Sequence, residues 1–390
     1  MRSLLCLWLV VCGLQTAYAQ APATPALPAP ACAVRLVLPP VIHAVPGIEC
    51  NIYFDNVILA PNIGNYLFDV TCAKGRQQAD RYTWTPTEED LGNHSLTLKV
   101  YNADYVVVAE GTTEVRVVSP RMAADRNLTY LIIGDSLTAA SVYPAELNRL
   151  FSQEGQPRVT LIGTTDRGEG VRHEGYGGWA AATFVSRWAA AVDPENPHRQ
   201  RSPFLYLVDE KPVLEFARYC EENNRGAAPD YITIALGCND NFSATEETIE
   251  ESIDRFLANM DVLLAEFRRV GPDTKIGIVL LVPPSASQDA FGANYGCGQT
   301  RYQYRRNQHR VVERLMEAYG NRAAENVFLI PAHVNLDCVH NYPTATGPAN
   351  ARTETELTRA SNGVHPAATG YRQMADSIYC WMVGSLAESP

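Results

Sequence analysis

The sequence lacks the common zinc-binding patterns, since it contains no C-x-x-C and no H-E-x-x-H segment. Its 8 histidines are scattered along the chain. A metal-dependent phosphoesterase would need a D-x-H segment near its start and several spaced histidine ligands, so that class has little support. We therefore expect neither a metal nor another cofactor.

Positive charge is also scarce, with 32 Lys and Arg against 43 Asp and Glu, a net charge of -11 and a pI of about 5.3. An acidic surface argues against binding nucleic acid or an anionic membrane through a broad basic field. Hydrophobic residues make up 46% of the chain and charged residues 19%, which predicts a substantial packed core. A length of 390 residues is sufficient for two domains.

No segment beyond the first twenty residues approaches the apolar length of a transmembrane helix. The first nineteen have the pattern of a signal peptide: Arg2, an apolar run over residues 4–14, and the A-x-A site Ala17-Tyr18-Ala19. We expect a secreted protein, extracellular or periplasmic, that starts at Gln20. A retained anchor is the alternative, and the bulky Val11 before Cys12 argues against a lipoprotein.

Ten cysteines are present, and two of them fall within the predicted signal peptide. An even number of remaining cysteines in an exported chain predicts disulfide bonds, although the spacing does not give their pairing. We expect Cys238 to be a buried free thiol. The eight remaining cysteines are Cys32, Cys50, Cys72, Cys220, Cys238, Cys297, Cys338 and Cys380.

The N-terminal part predicts a linker followed by an all-β domain. Residues 20–33 are rich in Ala and Pro and suggest an extended linker. Residues 34–120 carry short β-branched and aromatic runs separated by turn residues, which favours a small β-sandwich. Residues 84–104 resemble the late strands of immunoglobulin-like modules, where an Asp-x-Gly turn precedes a strand. A spacer role and a carbohydrate-binding role both remain open for this accessory domain.

From residue 126 to residue 388 the pattern changes to buried strands that alternate with amphipathic helices. Apolar runs at residues 128–134, 231–236 and 275–282 predict strands covered on both faces. Residues 245–270 predict a long helix with Thr245 as its N-cap. This alternation predicts a parallel sheet with helices on both faces and functional residues at the carboxyl ends of its strands.

Four motifs fall at or just after predicted strands or before the last helix, in this order: Gly134-Asp135-Ser136-Leu137-Thr138, Glu174-Gly175-Tyr176-Gly177-Gly178-Trp179, Gly237-Cys238-Asn239-Asp240 and Asn362-Gly363-Val364-His365-Pro366. A serine on a tight turn at a strand end presents its hydroxyl above the sheet. Glycines allow close backbone approach, and a carboxamide can donate to a developing negative charge. Each motif alone is compatible with an ordinary turn.

Together, in this order, the motifs resemble the SGNH/GDSL hydrolase family over residues 128–384. The resemblance implies a three-layer α/β/α flavodoxin-like fold and ester hydrolysis through an acyl-enzyme, without a metal. It implies Ser136 as nucleophile and His365 as general base. The N–H groups of Ser136 and Gly178 and the side chain of Asn239 would form the oxyanion hole. Gly177 is an alternative to Gly178.

One position departs from the family, because Asn362 stands where an Asp usually precedes the catalytic His by three residues. Asn362 could orient His365 as a weakened third triad member, or a backbone carbonyl could do so. A carboxylate from elsewhere could also serve, and the candidates are Asp240, Asp289, Asp337 and Glu174. We expect an acceptor other than Asn362.

Expected export and an accessory β-domain favour an extracellular ester, and we expect O-deacetylation of a carbohydrate. The alternatives are a general short-acyl esterase or lipase and a non-catalytic glycan-binding protein on a degenerate hydrolase fold. Residues 206–220 and 285–299 are candidates to line the pocket. Candidates for stacking on sugar are Tyr176, Trp179, Phe291 and Tyr295, with packing in the core as the alternative for each. The sequence does not predict an oligomeric state.

Overall fold

A computed structural model describes residues 34–191 and 200–387. The predicted signal peptide, the predicted linker and Cys32 lie outside the described residues. Within the described part, no helix is both long enough and apolar enough to cross a bilayer.

The elements of the N-terminal β-region, residues 34–118, are β1 (Val41–Ala44), β2 (Cys50–Tyr53), the one-turn helix α1 (Phe54–Val57), β3 (Leu67–Cys72), β4 (Arg76–Gln77), β5 (Arg81–Trp84), β6 (Gly92–Tyr101) and β7 (Val107–Val117). The strands form two sheets, in the orders β1-β7-β6-β3 and β2-β5-β4. The four-stranded sheet is antiparallel except for the parallel pair β1 and β7.

The remaining strands form a seven-stranded sheet and two hairpins. They are β8 (Asn127–Gly134), β9 (Arg158–Ile162), β10 (Thr165–Asp166), β11 (Arg172–Gly175), β12 (Leu205–Val208), β13 (Lys211–Leu214), β14 (Tyr231–Ala235), β15 (Lys275–Val279), β16 (Val327–Ile330), β17 (Thr344–Pro348) and β18 (Glu356–Ala360). The sheet order is β10-β11-β8-β14-β15-β16, and β9 also pairs with β8. β12 pairs with β13, and β17 pairs with β18.

The helices of this α/β region are α2 (Ser136–Ala139), α3 (Val142–Phe151), α4 (Ala181–Ser186), α5 (Phe216–Asn223), α6 (Cys238–Asn241), α7 (Ile249–Val270), α8 (Gln288–Tyr295), α9 (Arg301–Tyr319), α10 (Ala332–Asn335) and α11 (Ala368–Ala387). Short 3₁₀ turns lie at Ile63–Asn65, Glu88–Asp90, Pro120–Ala123 and Ala323–Glu325.

Alternate residues of the sheet pack on opposite faces, which produces three layers. Leu131 and Ile232 lie in a hydrophobic cluster with residues of α7 and α9, whereas Tyr130 and Ile132 lie in a cluster with residues of α3 and α11. The main parallel strands follow the order 2-1-3-4-5, as in flavodoxin-like folds. The expected α/β/α sheet and the preceding all-β region are therefore confirmed.

The prediction of Thr245 as a helix N-cap is wrong. Helix α7 begins at Ile249, with Thr248 at its N-cap position. Thr245 belongs to a preceding turn, in which its carbonyl accepts the N–H of Ile249 at 3.1 Å and its own N–H donates to the Thr248 hydroxyl at 2.9 Å. The local turn of residues 245–248 therefore displaces the helix start.

Buried polar contacts join the β-region to the α/β region. The Asn56 side chain donates to the carbonyls of His333 and Leu336 at 2.9 and 2.8 Å. The buried guanidinium of Arg305 donates to the carbonyl of Ile58 at 3.0 Å. Because an unpaired buried donor is costly, these contacts fix how the two regions pack. The domain boundaries at residues 120 and 126 stay predictions.

The expected disulfides do not form among the seven described cysteines, which are all free. Cys220 and Cys338 lie in different hydrophobic clusters, and Cys297 is exposed. Cys238 is a free thiol, as expected, but the residue is partly exposed and not fully buried. Desolvation of its thiol raises the pKa.

Candidate active site

The turn from β8 into α2 carries Ser136. Asp135, the N-cap of α2, accepts the N–H of Leu137 on its side-chain oxygen at 2.9 Å, and this contact closes the turn. Ser136 is the first residue of the helix, so its N–H is not used by the helical ladder. The turn therefore presents both the hydroxyl and the N–H of Ser136 at the carboxyl end of the central strand.

His365 lies directly above this serine. Its Nε2 is 2.8 Å from the Ser136 Oγ, within the distance that a general base needs to accept the hydroxyl proton. The loop before α11 brings the imidazole to Ser136, 229 residues away in sequence. Burial lowers the pKa of His365, so the imidazole stays neutral and able to accept a proton at neutral pH.

The glycine pair follows β11, whose Gly175 pairs with Gly134. Residues 176–179 form a turn in which the Trp179 N–H donates to the Tyr176 carbonyl at 3.2 Å. Gly178 has φ +78°, a left-handed conformation that favours glycine, and a Cβ there would meet open space. The N–H groups of Gly177 and Gly178 donate to none of the described residues, so both remain candidate oxyanion donors.

Asn239 joins the first two motifs. Its Nδ2 lies 2.9 Å from the carbonyl of Trp179 and 3.4 Å from the carboxylate of Asp135. Trp179 directly follows Gly178, and Asp135 directly precedes Ser136. The carboxamide of Asn239 therefore lies between the turn that carries Gly178 and the turn that carries Ser136. The longer contact is weak, which leaves an amide hydrogen near Ser136 for an incoming oxyanion.

Two buried carboxyl groups lie under this site, and sequence reasoning gave neither of them this supporting role. Burial raises the pKa of Asp135 to about 7 and that of Asp240 to about 6. Asp240 accepts the N–H of Ala181 at 3.0 Å, while Asp135 caps α2. The signal for Asp135 was its place directly before the serine, because Asp is a favoured N-cap.

Asn362 supports the backbone of His365, and no bond from it to the imidazole is found. Its Oδ1 accepts the N–H groups of Val364 at 3.0 Å and His365 at 2.9 Å. Within residues 34–191 and 200–387, no group is hydrogen-bonded to the His365 Nδ1. The site contains a Ser-His pair without a described third member.

The four alternative carboxylates bind elsewhere. Glu174 is buried and accepts from the N–H and hydroxyl of Thr164 at 2.6 and 2.7 Å and from the Tyr219 hydroxyl at 2.7 Å. Asp337 accepts from the ring of His340 at 2.9 Å. Asp289 is exposed and bonds with Ser287, and Asp240 binds the N–H of Ala181. None of the four is hydrogen-bonded to His365.

Comparison with known proteins shows which family the chain belongs to. The sequence model of the GDSL-like lipase/acylhydrolase family matches residues 130–378, which contain all four motifs. This chain belongs to the GDSL-like lipase/acylhydrolase family. It is therefore a carboxylic ester hydrolase, and the expected family and reaction class are confirmed.

Solved structures of esterases resemble the chain only distantly. A family 3 carbohydrate esterase of Clostridium thermocellum is 16% identical, with a TM-score of 0.40, over 67% of this chain and 100% of its own. A catalytic mutant of the acetylxylan esterase Axe2 from Geobacillus stearothermophilus is 16% identical, with a TM-score of 0.35, over 66% of this chain and 94% of its own. Such likeness says nothing about what this chain acts on. No curated protein matched the sequence.

Within this GDSL-like site, an aromatic wall joins the Asn239 helix to the His365 turn. It consists of Phe242, Phe291, Tyr295 and Tyr304, with ring centroids 5.2 Å apart for Phe242 and Tyr295 and 5.7 Å apart for Phe291 and Tyr304. Phe291 packs on Gly363, where a Cβ would come within 2.8 Å of its ring. Phe242 and Tyr295 are partly exposed.

The proposed stacking residues divide sharply in the structure. Tyr176, Trp179 and Phe291 are 8%, 1% and 0% exposed, so they are core residues and have no free ring face for a sugar. Tyr295 is partly exposed and stays a candidate for stacking on sugar.

Of residues 206–220, which the sequence suggested as pocket-lining, Tyr206 borders a surface groove with Trp188 and Arg218, and Tyr219 donates a hydrogen bond to Glu174. Among the described residues, no three His, Cys, Asp or Glu side chains lie close enough together to hold a metal ion.

Proposed function

We propose that this esterase removes acetyl groups from the hydroxyls of a carbohydrate, with Ser136 as nucleophile and His365 as general base. The observation that carries the catalytic part is the 2.8 Å contact between the His365 Nε2 and the Ser136 Oγ, beside the amide of Asn239. A serine and a base within hydrogen-bond reach, next to a carboxamide and to backbone N–H groups that bind no described residue, is an arrangement suited to acyl transfer.

The reaction proceeds in two halves. His365 accepts the Ser136 proton while the Oγ attacks the ester carbonyl, and the resulting oxyanion is held by Ser136 N–H, Gly178 N–H and the Asn239 amide. His365 then protonates the leaving alcohol, and the carbon–oxygen bond to that alcohol breaks. Water, deprotonated by His365, attacks the acetyl-serine, and acetate leaves as the proton returns to Ser136.

His365 works in this proposal without a carboxylate partner. Its backbone is held by Asn362, and its ring is placed by the Ser136 contact and by burial. Burial already favours the neutral imidazole, which is the form that accepts a proton. The proposed cost is a less stabilised imidazolium in the transition state, because no carboxylate of the described residues is hydrogen-bonded to the ring.

The carbohydrate part of the proposal depends on where the leaving alcohol must lie. Because His365 protonates that oxygen, the alcohol sits beside the imidazole. The aromatic wall borders the same turn, since Asn294 accepts the Gly363 N–H at 3.2 Å and Phe291 packs on Gly363. We propose that the partly exposed rings of Tyr295 and Phe242 border the alcohol side of the site, where flat apolar rings would suit the C–H face of a sugar.

We also propose that the protein is exported. The support is the N-terminal pattern of Arg2, the apolar run at residues 4–14 and the A-x-A site at residues 17–19. Fractionation of cells that express the full chain, with N-terminal sequencing of the product, tests this. An unprocessed N-terminus in the cytoplasm would contradict it.

The substrate test compares esters of different alcohols. The protein should release acetate from acetylated oligosaccharides with a higher kcat/KM than from p-nitrophenyl acetate or ethyl acetate. Tyr295→Ala should raise KM for the saccharide several-fold and leave kcat on p-nitrophenyl acetate nearly unchanged, with Tyr105→Ala, at the tip of the β6–β7 hairpin, as the matched control. Activity confined to aryl and simple alkyl esters would favour a general short-acyl esterase.

A further inference from the structure

The first contacts to consider run from the β-region toward His365. Asp55, in helix α1, accepts from a terminal nitrogen of Arg301 at 2.9 Å. The Nε of Arg301 donates to the carbonyl of Ser285 at 3.2 Å, and the N–H of Ser285 donates to the carbonyl of Gly363 at 3.0 Å. Gly363 is two residues before His365, so three successive hydrogen bonds join Asp55 to the turn that carries the base.

A second route starts at the neighbouring residue. Asn56 is 2% exposed, and besides holding the loop before Cys338 it accepts from the Cys338 thiol at 3.4 Å. The Cys338 carbonyl accepts the N–H of Ala286 at 2.8 Å. Ala286 is therefore held by Cys338 and Ser285 by Arg301, while the N–H of Ser285 donates to the carbonyl of Gly363. Ser285 itself is 1% exposed, so water does not substitute for these partners.

Two other polar contacts between the described parts of the regions lie away from this turn. Arg35 pairs with Glu313 at 3.2 Å, at the middle of α9. Asn51 binds the side chain of Asn335, which in turn donates to the Gln373 carbonyl on α11. Those contacts attach the β-region to the α/β region, whereas the contacts of Asp55 with Arg301 and of Asn56 with Cys338 lead to the loop that supports Gly363.

We infer that Asp55 and Asn56 are positioning residues for the proposed reaction: through Arg301, Ser285 and Cys338 they fix the turn that holds His365 against Ser136. This inference rests on the proposed role of His365. Because His365 has no described partner at its Nδ1, the position of its ring depends on its backbone more than in a triad with an acid. Small displacements of a catalytic group cost rate strongly, so the β-region contributes to catalysis and does more than space the enzyme.

The test uses the full chain and matched ion pairs. Asp55→Asn should lower kcat by about fivefold with KM changed less than about twofold, because the base is displaced while the substrate surfaces remain. Asp55→Glu, which keeps the carboxylate, should retain most of the wild-type kcat. Arg35→Gln, which breaks another ion pair between the regions, should lower Tm to a similar extent and leave kcat within about twofold.

A further variant keeps the experiment decisive if Asp55→Asn folds poorly. Arg301→Lys retains a cation for Asp55 but removes the Nε–H that reaches Ser285, so it should reproduce the loss in kcat. The double variant Asp55→Asn with Arg301→Lys should lose little more than either single change, since both interrupt the same series of hydrogen bonds from Asp55 through Arg301 to Ser285.

The outcomes separate the two proposals. If His365→Ala is inactive while Asp55→Asn and Arg301→Lys match Arg35→Gln in kcat, the positioning inference is wrong and the proposed function stands. If His365→Ala remains active, the proposed function falls, and the inference falls with it.

Discussion

Two turns of this molecule, at residues 337–340 and 362–365, share a pattern of backbone hydrogen bonds but differ in whether a side-chain oxygen also binds the histidine ring. In Asp337-Cys338-Val339-His340, the Asp337 Oδ1 accepts the N–H groups of Val339 and His340, each at 2.9 Å, and its Oδ2 accepts from the His340 Nδ1 at 2.9 Å. In residues 362–365, the Oδ1 of Asn362 accepts the corresponding two N–H groups, but no described group is bonded to the ring Nδ1.

The difference shows which part of the family's Asp-x-x-His arrangement has been kept. The side-chain oxygen that shapes the backbone is present in both turns, whereas the second oxygen, which would hold the imidazole, is replaced by the amide nitrogen of Asn362. An amide N–H cannot accept from a ring N–H. The His340 ring has the carboxylate partner, but the side chain of His340 is 74% exposed and is hydrogen-bonded to no described serine. The His365 ring has the serine but lacks the carboxylate.

The largest expected effect separates these two histidines. His365→Ala should lower kcat/KM by about 10⁴-fold or more, because the proposed base is lost, whereas His340→Ala should leave activity within about twofold. Steady-state hydrolysis of p-nitrophenyl acetate measures both, with circular dichroism to confirm folding. Comparable losses in the two variants would show that the carboxylate-paired turn, and not the serine contact, identifies the base.

The next effect tests the donors that face Ser136. Asn239→Ala should lower kcat by roughly 10²–10³, the usual loss for one oxyanion-hole donor, with little change in KM because the contact strengthens in the transition state. Asn241→Ala, on the same short helix, is the structural control, since its amide binds the Gly237 carbonyl. A change in KM alone for Asn239→Ala would make this residue a substrate-binding group.

A smaller effect is expected at Asn362 itself. Asn362→Ala removes the acceptor for two backbone N–H groups but no contact to the imidazole, so kcat should fall by less than about tenfold. The same variant should lose about 1–2 kcal/mol of unfolding free energy, since two backbone donors lose their partner. Chemical denaturation and kinetics on one preparation measure both quantities. A hundredfold loss in kcat with unchanged stability would make Asn362 the group that orients the ring.

Sequence patterns could predict the α/β/α architecture and the four motifs, because both depend on local periodicity and on residues next to strand ends. Helix α9 at Arg301–Tyr319 follows from such signals. The pairing of Ser136 with His365 was implied by the resemblance of the four motifs to a family, and the structure brings the two side chains together. The bonds of Asn56 and Asp337 are set by which backbone groups come close in the folded chain, and no spacing rule gives them. The burial of Trp179 was equally hidden, because an aromatic after a glycine pair suits a surface or a core.

The smallest and most specific effect concerns pH. Catalysis needs neutral His365, and burial lowers its pKa below the ordinary 6.5, so the acid limb of kcat/KM in the wild type should lie below that value. Asn362→Asp places a carboxylate where Asp337 stands in the sister turn, and a negative charge beside the ring favours the imidazolium. That raises the pKa of His365, so activity in the variant should be lost at a higher pH as the solution is acidified, while His340→Ala leaves the limb in place. Initial rates of kcat/KM from pH 4 to 9 measure the shift; an unmoved limb in Asn362→Asp would mean that the new carboxylate does not reach the His365 ring, and that the likeness of the two turns ends at the backbone.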